Sequence, residues 1–202
     1  MKLLLTVVAA ALSIGAGASQ AQSQGVTKDE ILVGSIQDLS GPIAAFGKAT
    51  RQGMVLRVEE INEQGGINGR KIKLIVEDDG YDPKKAVLAA QKLVNQDKIF
   101  IMAGHMGTAQ NNAAMPIQFE KNIINFLPVT AAREMYEPLN RLKYSFAVTY
   151  FDQMKNFLPR LVKEKNAKKA MHIVCEKGRT EDTAQFVRSW IKSTKFSAYT
   201  NI

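Results

Sequence analysis

The sequence predicts an α/β fold in which a mostly parallel sheet is flanked by helices. Short apolar runs of strand length alternate with longer segments whose apolar residues recur every three to four positions. Turn-forming residues separate the two kinds of segment. Of the 202 residues, 46% are hydrophobic, which is ordinary for a globular protein of one or two domains. Strand–helix alternation of this kind is typical of a parallel sheet with helices on both faces.

The first half of the chain predicts three strands with a helix between each pair. The strands are predicted over residues 31–36, 71–78 and 99–104. The first helix, over about 47–62, carries a helical stripe of apolar residues and ends before Gly65, since glycine ends many helices. The stripe consists of Met54, Val55, Val58 and Ile61. The second helix opens at Asp82 and Pro83 and continues to Asn95, because Asp is a favoured N-cap and Pro a favoured first residue.

The second half continues the same rhythm. Strands are predicted over residues 123–127, 144–148 and 170–174, and helices over 108–121 and 151–165. Ala109, Ala113, Ile117 and Glu120 are taken as the periodic positions of the first of these helices. Pro116 is expected to kink that helix, since an interior proline removes a backbone hydrogen bond.

The N-terminus has the layout of a secretory signal. Lys2 precedes a short apolar run over residues 3–12, and small residues follow up to Ala21. The apolar run is shorter than the about 20 residues needed to span a bilayer. We therefore expect cleavage after about Ala21 and an exported chain that is not inserted into the membrane. The single cysteine excludes an internal disulfide.

The formal charge of +8 is unevenly distributed. Residues 22–150 contain 15 Lys and Arg against 14 Asp and Glu, whereas residues 151–202 contain 11 against 5. Several of the excess lysines, including Lys163 and Lys165, fall at the end of a predicted helix, where the helix dipole favours cations. This pattern predicts a solvated helix end and no nucleic-acid partner.

Candidate binding residues are sought directly after the strands, because parallel sheets bind ligands outside the carboxyl ends of their strands. Thr108 lies at a predicted helix start, where exposed N–H groups favour an anion such as a carboxylate; its hydroxyl contacts a ligand, caps the helix, or does both. Thr130 offers a hydroxyl after the fourth strand and is equally consistent with an ordinary turn. Phe46 is either a pocket wall or a core residue.

No catalytic or metal-binding pattern is found. Asp78 and Asp79 are adjacent and point opposite ways in an extended chain, so a turn-forming role is favoured over a metal or acid–base pair. His105 has no Ser or carboxylate partner at a recognised spacing and is interpreted as a polar loop residue. The dinucleotide, P-loop, nucleophile-elbow and metalloprotease motifs are absent from the sequence. The sequence therefore predicts neither an enzyme nor a cofactor.

Three segments, in order and at matching spacing, carry a family resemblance. They are residues 31–34 with 39–42, residues 61–70, and residues 77–83 with Ala86 and Ala90. They resemble the periplasmic substrate-binding proteins of ABC transporters, in the branched-chain amino acid (leucine/isoleucine/valine-binding) family. The resemblance implies a periplasmic-binding-protein-like type I fold, with two similar α/β lobes that close on a small-molecule ligand. It also implies a periplasmic solute-binding component of an importer, whose partners are the ABC permease subunits.

The resemblance also implies a set of ligand-binding residues. The family's aromatic wall falls on Phe46, and its carboxylate-binding hydroxyl falls on Thr108. The segment that contacts the ligand's amine and carboxylate falls on Thr130 and Ala131. Two further positions, Tyr150 and Asp152, come where the chain crosses into the second lobe and are expected to face the cleft.

The implied domains are a signal peptide at residues 1–21, an N-terminal ligand-binding lobe at 22–149, and an incomplete second lobe at 150–202. After residue 174 the sequence departs from the family pattern, which indicates a truncated or frame-shifted product with weak or no ligand binding. Two other functions stay open. A ligand-sensing receptor ectodomain of the same fold would carry a downstream transmembrane or signalling segment, and a periplasmic enzyme would lose turnover when His105 is changed.

Overall fold

A computed structural model of the chain describes residues 23–165, together with residues 169–170 and 197–198. The predicted signal peptide and the region of predicted divergence after residue 174, apart from 197–198, lie outside the described residues. The sixth predicted strand is described only at its first residue, Ala170, which belongs to the two-residue strand β6.

A five-stranded sheet forms the centre of the described fold, and all of its strands are parallel. Its order is β2-β1-β3-β4-β5. The strands are β1 (Glu30–Gln37), β2 (Lys71–Asp78), β3 (Ile101–Ala103), β4 (Ile124–Phe126) and β5 (Lys143–Tyr144). At the middle of the sheet, Gly34 of β1 pairs with Ile75 on one side and Met102 on the other. Separately, β6 (Lys169–Ala170) pairs in parallel with β7 (Ser197–Ala198). The predicted α/β class with a parallel sheet is confirmed.

Four α-helices connect the strands. They are α1 (Ala44–Glu63), α2 (Pro83–Gln91), α3 (Thr108–Glu120) and α4 (Tyr150–Lys165). As predicted, Asp82 is the N-cap of α2, and its carboxylate accepts a hydrogen bond of 2.7 Å from the Lys84 N–H. The second helix was predicted to run to residue 95, but α2 ends at Gln91 and a π-helical turn follows over Lys92–Gln96. The Asp97 N–H donates to the Lys92 carbonyl, the five-residue spacing that defines this turn.

The prediction of a fifth strand over residues 144–148 is wrong beyond its first residue. The ladder between β4 and β5 closes with the Leu127 N–H donating to the Tyr144 carbonyl at 2.7 Å. Beyond this bond the chain is no longer paired with β4, and the Ala147 carbonyl accepts a hydrogen bond from the Tyr136 hydroxyl instead. Phe146 and Val148 are consequently left exposed in a loop.

The hydrophobic core lies on the face of the sheet that α2 and α3 cover. Its buried members come from β1, β3, α2, α3 and the π-helical turn. They include Ile36, Ala90, Leu93, Ile99, Met102, Ala114 and Ile123. The periodic positions predicted for α3 are confirmed in part: Ile117 is half-buried and packs against the core, whereas Ala109 and Ala113 are half-buried and Glu120 is exposed. The buried residues of α3 include Asn111, Met115 and Gln118, which were not predicted.

The opposite face of the sheet is covered only in part by α1. The predicted stripe of α1 is half-buried, and the one fully buried residue of that helix is Gly47. Between α1 and the sheet lies an open apolar groove of about 570 Å³, lined among others by Val33, Met54, Val58, Leu74 and Phe126. Over the part of the chain that is described, no helix combines the length and hydropathy needed to cross a membrane.

Alanine substitutions at the two glycines of α1 should have opposite effects on the free energy of unfolding. A Cβ at Gly47 would lie 1.9 Å from the Asp38 carbonyl oxygen, whereas a Cβ at Gly53 meets nothing within 4 Å. Gly47→Ala should lower the free energy of unfolding by about 1–3 kcal/mol through overpacking. Gly53→Ala should raise it by about 0.5–1 kcal/mol because alanine favours the helix. Urea unfolding of both variants checks this, and equal effects would contradict the role of the close contact.

Candidate functional site

A cavity of about 360 Å³ lies at the carboxyl edge of the five-stranded sheet. The segment after every one of the five strands contributes to its walls. The lining residues are Ile43, Phe46, Tyr81, Met106, Gly107, Val129, Thr130, Ala131, Phe146 and Tyr150. The strand order changes direction at β1, whose neighbours are β2 and β3, and the crevice outside such a switch point is where parallel sheets bind ligands.

A buried carboxylate shapes the wall that follows β1. Asp38 is fully buried, and its two oxygens accept hydrogen bonds from the N–H groups of Gly41 at 2.5 Å and Ile43 at 2.8 Å. These bonds hold the turn that leads into α1 and bring Ile43 and Phe46 to the cavity. The Phe46 ring is 65% exposed, so it is a cavity wall open to solvent and not a core residue.

The wall that follows β2 is held in the same way. Asp78 accepts hydrogen bonds from the N–H groups of Leu39 at 2.8 Å and Gly80 at 2.9 Å. Asp79, which is 1% exposed, accepts one from the Tyr81 N–H at 2.9 Å. The predicted turn-forming role of both aspartates is confirmed. Burial, with a smaller contribution from the neighbouring charges of Asp38 and Asp78, raises the pKa of Asp79 to about 6.

Two hydroxyls meet at the start of α3. The Thr108 and Thr130 Oγ1 atoms are 2.7 Å apart and both side chains are buried. Gly107 is the N-cap of α3, with a φ of 90° and no capping hydrogen bond from a side chain, so the alternative of Thr108 as N-cap is wrong. Thr130 lines the cavity and Thr108 stands directly behind it. The first N–H groups of a helix lack intrahelical acceptors, and this end of the cavity therefore suits an anionic group.

Of the three remaining residues predicted for the site, two line the cavity and one does not. Ala131 and Tyr150 both line the cavity, and the Tyr150 N–H donates to the Ala131 carbonyl at 2.9 Å. Asp152 is not among the lining residues. Its carboxylate accepts a hydrogen bond of 2.6 Å from the Thr149 hydroxyl, and its N–H donates back to that hydroxyl at 3.1 Å. This reciprocal pair is a helix-capping arrangement at the start of α4.

His105 lies in the loop after β3, as predicted, and is buried there. Its side chain is 0% exposed, and neither ring nitrogen has a hydrogen-bond partner among the described residues. Burial lowers the pKa of His105 to about 3, which keeps the ring neutral. Within the described residues, no three His, Cys, Asp or Glu side chains are grouped so that they could hold a metal ion.

Several lining residues were not predicted individually. Tyr81, Met106 and Gly107 fall in the segments after β2 and β3 that the strand pattern marks as candidates for binding. The pattern predicts these segments but not the role of each residue. Phe146 was missed because its apolar run was interpreted as a strand.

Residues 30–198 match the family described as periplasmic binding protein, and the chain belongs to this family. The match includes residues 175–198, past the point at which divergence was predicted. A curated relative is the leucine-, isoleucine-, valine-, threonine- and alanine-binding protein of Pseudomonas aeruginosa, 31% identical over 113 residues. That alignment covers 56% of this chain and 30% of the relative.

Two further relatives agree with this assignment. The Leu/Ile/Val-binding protein of Escherichia coli is 35% identical over 107 residues, which cover 53% of this chain and 29% of that protein. The solved structure of a fatty acid ABC transporter substrate-binding protein from Thermomonospora curvata superposes with a TM-score of 0.78 at 25% identity. It covers 88% of this chain and 45% of its own, so the chain spans less than half of that structure. The predicted type I periplasmic-binding-protein fold is confirmed for the family.

The raised pKa of the buried Asp79 makes the free energy of unfolding depend on pH. A carboxyl whose pKa is raised in the folded state binds its proton more tightly there, so its contribution to stability is lost as the pH rises from about 4 to about 6. Asp79→Asn removes this loss and should be stabilised relative to the wild type by an amount that grows on the order of 2 kcal/mol between pH 4 and pH 7. Urea unfolding across this range measures it. The matched control is Asp29→Asn, which makes the same substitution at an exposed side chain.

Proposed function

We propose that the chain is the ligand-binding part of an extracytoplasmic solute-binding component of an ABC importer, with branched-chain amino acids or related small molecules as its ligands. The observation that carries this proposal is the composition of the cavity: a hydroxyl pair at a helix start faces a wall of apolar and aromatic side chains. The names of the Pseudomonas and Escherichia relatives, which bind leucine, isoleucine and valine, support the ligand class.

A carboxylate is the group that the polar end of the cavity suits best. The Thr130 hydroxyl lines the cavity and can donate a hydrogen bond to the carboxylate while it accepts one from the Thr108 hydroxyl behind it. The positive end of the α3 dipole favours the charge of the carboxylate. The apolar part of the ligand would then lie against Phe46, Met106 and Phe146. Among the described residues no carboxylate side chain lines the cavity, so an ammonium group here would be held by carbonyl oxygens or tyrosine hydroxyls.

Closure over the ligand would complete the site. Phe46 and Phe146 are 65% and 64% exposed and border the cavity, so a second surface that covers them would bury both rings together with the ligand. The ABC permease subunits are proposed to recognise this closed form. The buried position of His105, without hydrogen-bond partners among the described residues, argues against the alternative in which that histidine is catalytic.

The binding proposal is tested by ligand-observed NMR with a panel of amino acids that includes leucine, isoleucine and valine. One open wall should give dissociation constants on the order of 1 mM, which this method detects. Thr130→Val should weaken binding about tenfold, since it removes a donor to the carboxylate. Thr50→Val, which removes a hydroxyl bonded to the Phe46 carbonyl outside the cavity, is the matched control and should bind as the wild type does. Absence of binding to every amino acid would contradict the proposal.

Export is a separate part of the proposal. We expect a bacterial host to deliver the chain to the periplasm and to remove residues 1–21, so that the mature protein begins at Gln22. Mass spectrometry of the periplasmic fraction gives the N-terminal residue directly. Lys2→Glu with Leu4→Asp should retain the precursor in the cytoplasm, because it removes the positive charge and interrupts the apolar run. An unprocessed chain in the cytoplasm of the wild type would overturn this part.

A further inference from the structure

The loop that carries Tyr81 is held in an unfavourable backbone conformation by two buried side chains. Tyr81 has a φ of 63°, in the left-handed region that residues other than glycine seldom occupy. Its N–H donates to Asp79, and its carbonyl accepts a hydrogen bond of 2.6 Å from Gln110 Nε2 on α3. Asp79 and Gln110 are both 1% exposed. Strain of this kind persists only where the surroundings fix it, and it is concentrated at functional sites.

The Tyr81 ring lies against the start of α3. A Cβ at Gly107 would come within 3.0 Å of Tyr81 Cε2 and within 2.2 Å of Gln110 Oε1. The glycine therefore leaves the space that the ring and the amide occupy. Since Gly107 is the N-cap of α3, the ring stands next to the helix start and the hydroxyl pair. Tyr81 thus borders the polar end of the cavity.

We propose that Tyr81 is a specificity-determining residue of this cavity and that Gln110 is the positioning residue that holds it. The ring takes up the space next to the position proposed for the carboxylate. It therefore admits ligands that carry a hydrogen on the carbon next to the carboxylate, as leucine does, and rejects ligands in which a methyl group replaces that hydrogen. This inference rests on the proposed function, because it takes the polar end of the cavity as the carboxylate site.

The alternative is that Gln110 serves only the stability of α3. Gln118 is the control position for this alternative, since it is equally buried on the same helix. Its amide has no hydrogen-bond partner among the described residues. Gln110→Met removes the donor to the Tyr81 carbonyl at similar side-chain volume. Gln118→Met makes the same substitution at a buried glutamine that does not bond to Tyr81. A change in ligand preference in the first variant alone identifies a positioning role.

The test is a ligand-observed NMR titration of the complete chain with L-leucine and α-methyl-L-leucine. The wild type should prefer leucine, and Tyr81→Ala should reduce the ratio of the two dissociation constants about tenfold, the lower range for one methyl group in a pocket. Tyr81→Phe keeps the ring and should keep the wild-type ratio. Gln110→Met should reduce the ratio about threefold, and Gln118→Met should leave it unchanged.

The outcomes separate this inference from the proposed function. If the wild type binds leucine and the ratio is the same in Tyr81→Ala, the inference fails and the proposed function stands. If neither compound binds the wild type, the inference fails, and the amino-acid panel decides whether the proposed function fails with it. Should Tyr81→Ala not fold, as shown by its thermal unfolding, the ratio in Gln110→Met against that in Gln118→Met decides in its place.

Discussion

The parallel pairing of β1 with β2 on one side and with β3 on the other is the constraint on which the cavity depends. The chain passes outward from β1 to β2 and then returns across β1 to β3, so the loops after β1 and β3 leave the sheet on either side of a crevice. Helix α1 and helices α2 and α3 consequently pack on opposite faces. Because every strand is parallel, all five strand ends deliver residues to the same edge. The cavity is a consequence of the strand order before any individual side chain is considered.

Buried polar groups then fix the walls of that crevice. Asp38 and Asp79 accept backbone hydrogen bonds from the loops after β1 and β2, and the Asn111 amide donates to the carbonyls of His105 at 2.8 Å and Gly107 at 2.7 Å. Burying these groups carries a desolvation cost, visible in the raised pKa of Asp79. The benefit is a set of loops held in place without a ligand, which lowers the entropy lost on binding. Asp38, Asp79 and Asn111 therefore stabilise the geometry of these loops at the expense of their own solvation.

The sequence predicted most of the sheet and much of the site because both follow from local patterns. Apolar runs marked β1 and β2 almost to the residue, and the Asp82–Pro83 pair marked the start of α2. The buried face of α3 was missed since its members include Asn111 and Gln118, whose burial depends on tertiary partners that apolar periodicity does not register. Tyr81 was missed as a wall for a related reason: its direction is set by Asp79 and Gln110, 2 and 29 residues away.

Two apolar surfaces formed by the described residues differ in their chemistry. The groove between α1 and the sheet is lined almost entirely by apolar side chains, with Arg57 as its one charged lining residue among those described. Arg57 is itself paired with Glu60 at 2.5 Å. Such a surface can contact any apolar group but does not fix the orientation of that group, because orientation requires convergent polar groups. Of these two surfaces, the cavity at the carboxyl edge is the one that joins exposed rings to a hydroxyl pair and a helix start, the kind of polar groups that orient a ligand. We therefore propose selective recognition at the edge of the sheet, whereas the groove exposes apolar area to water.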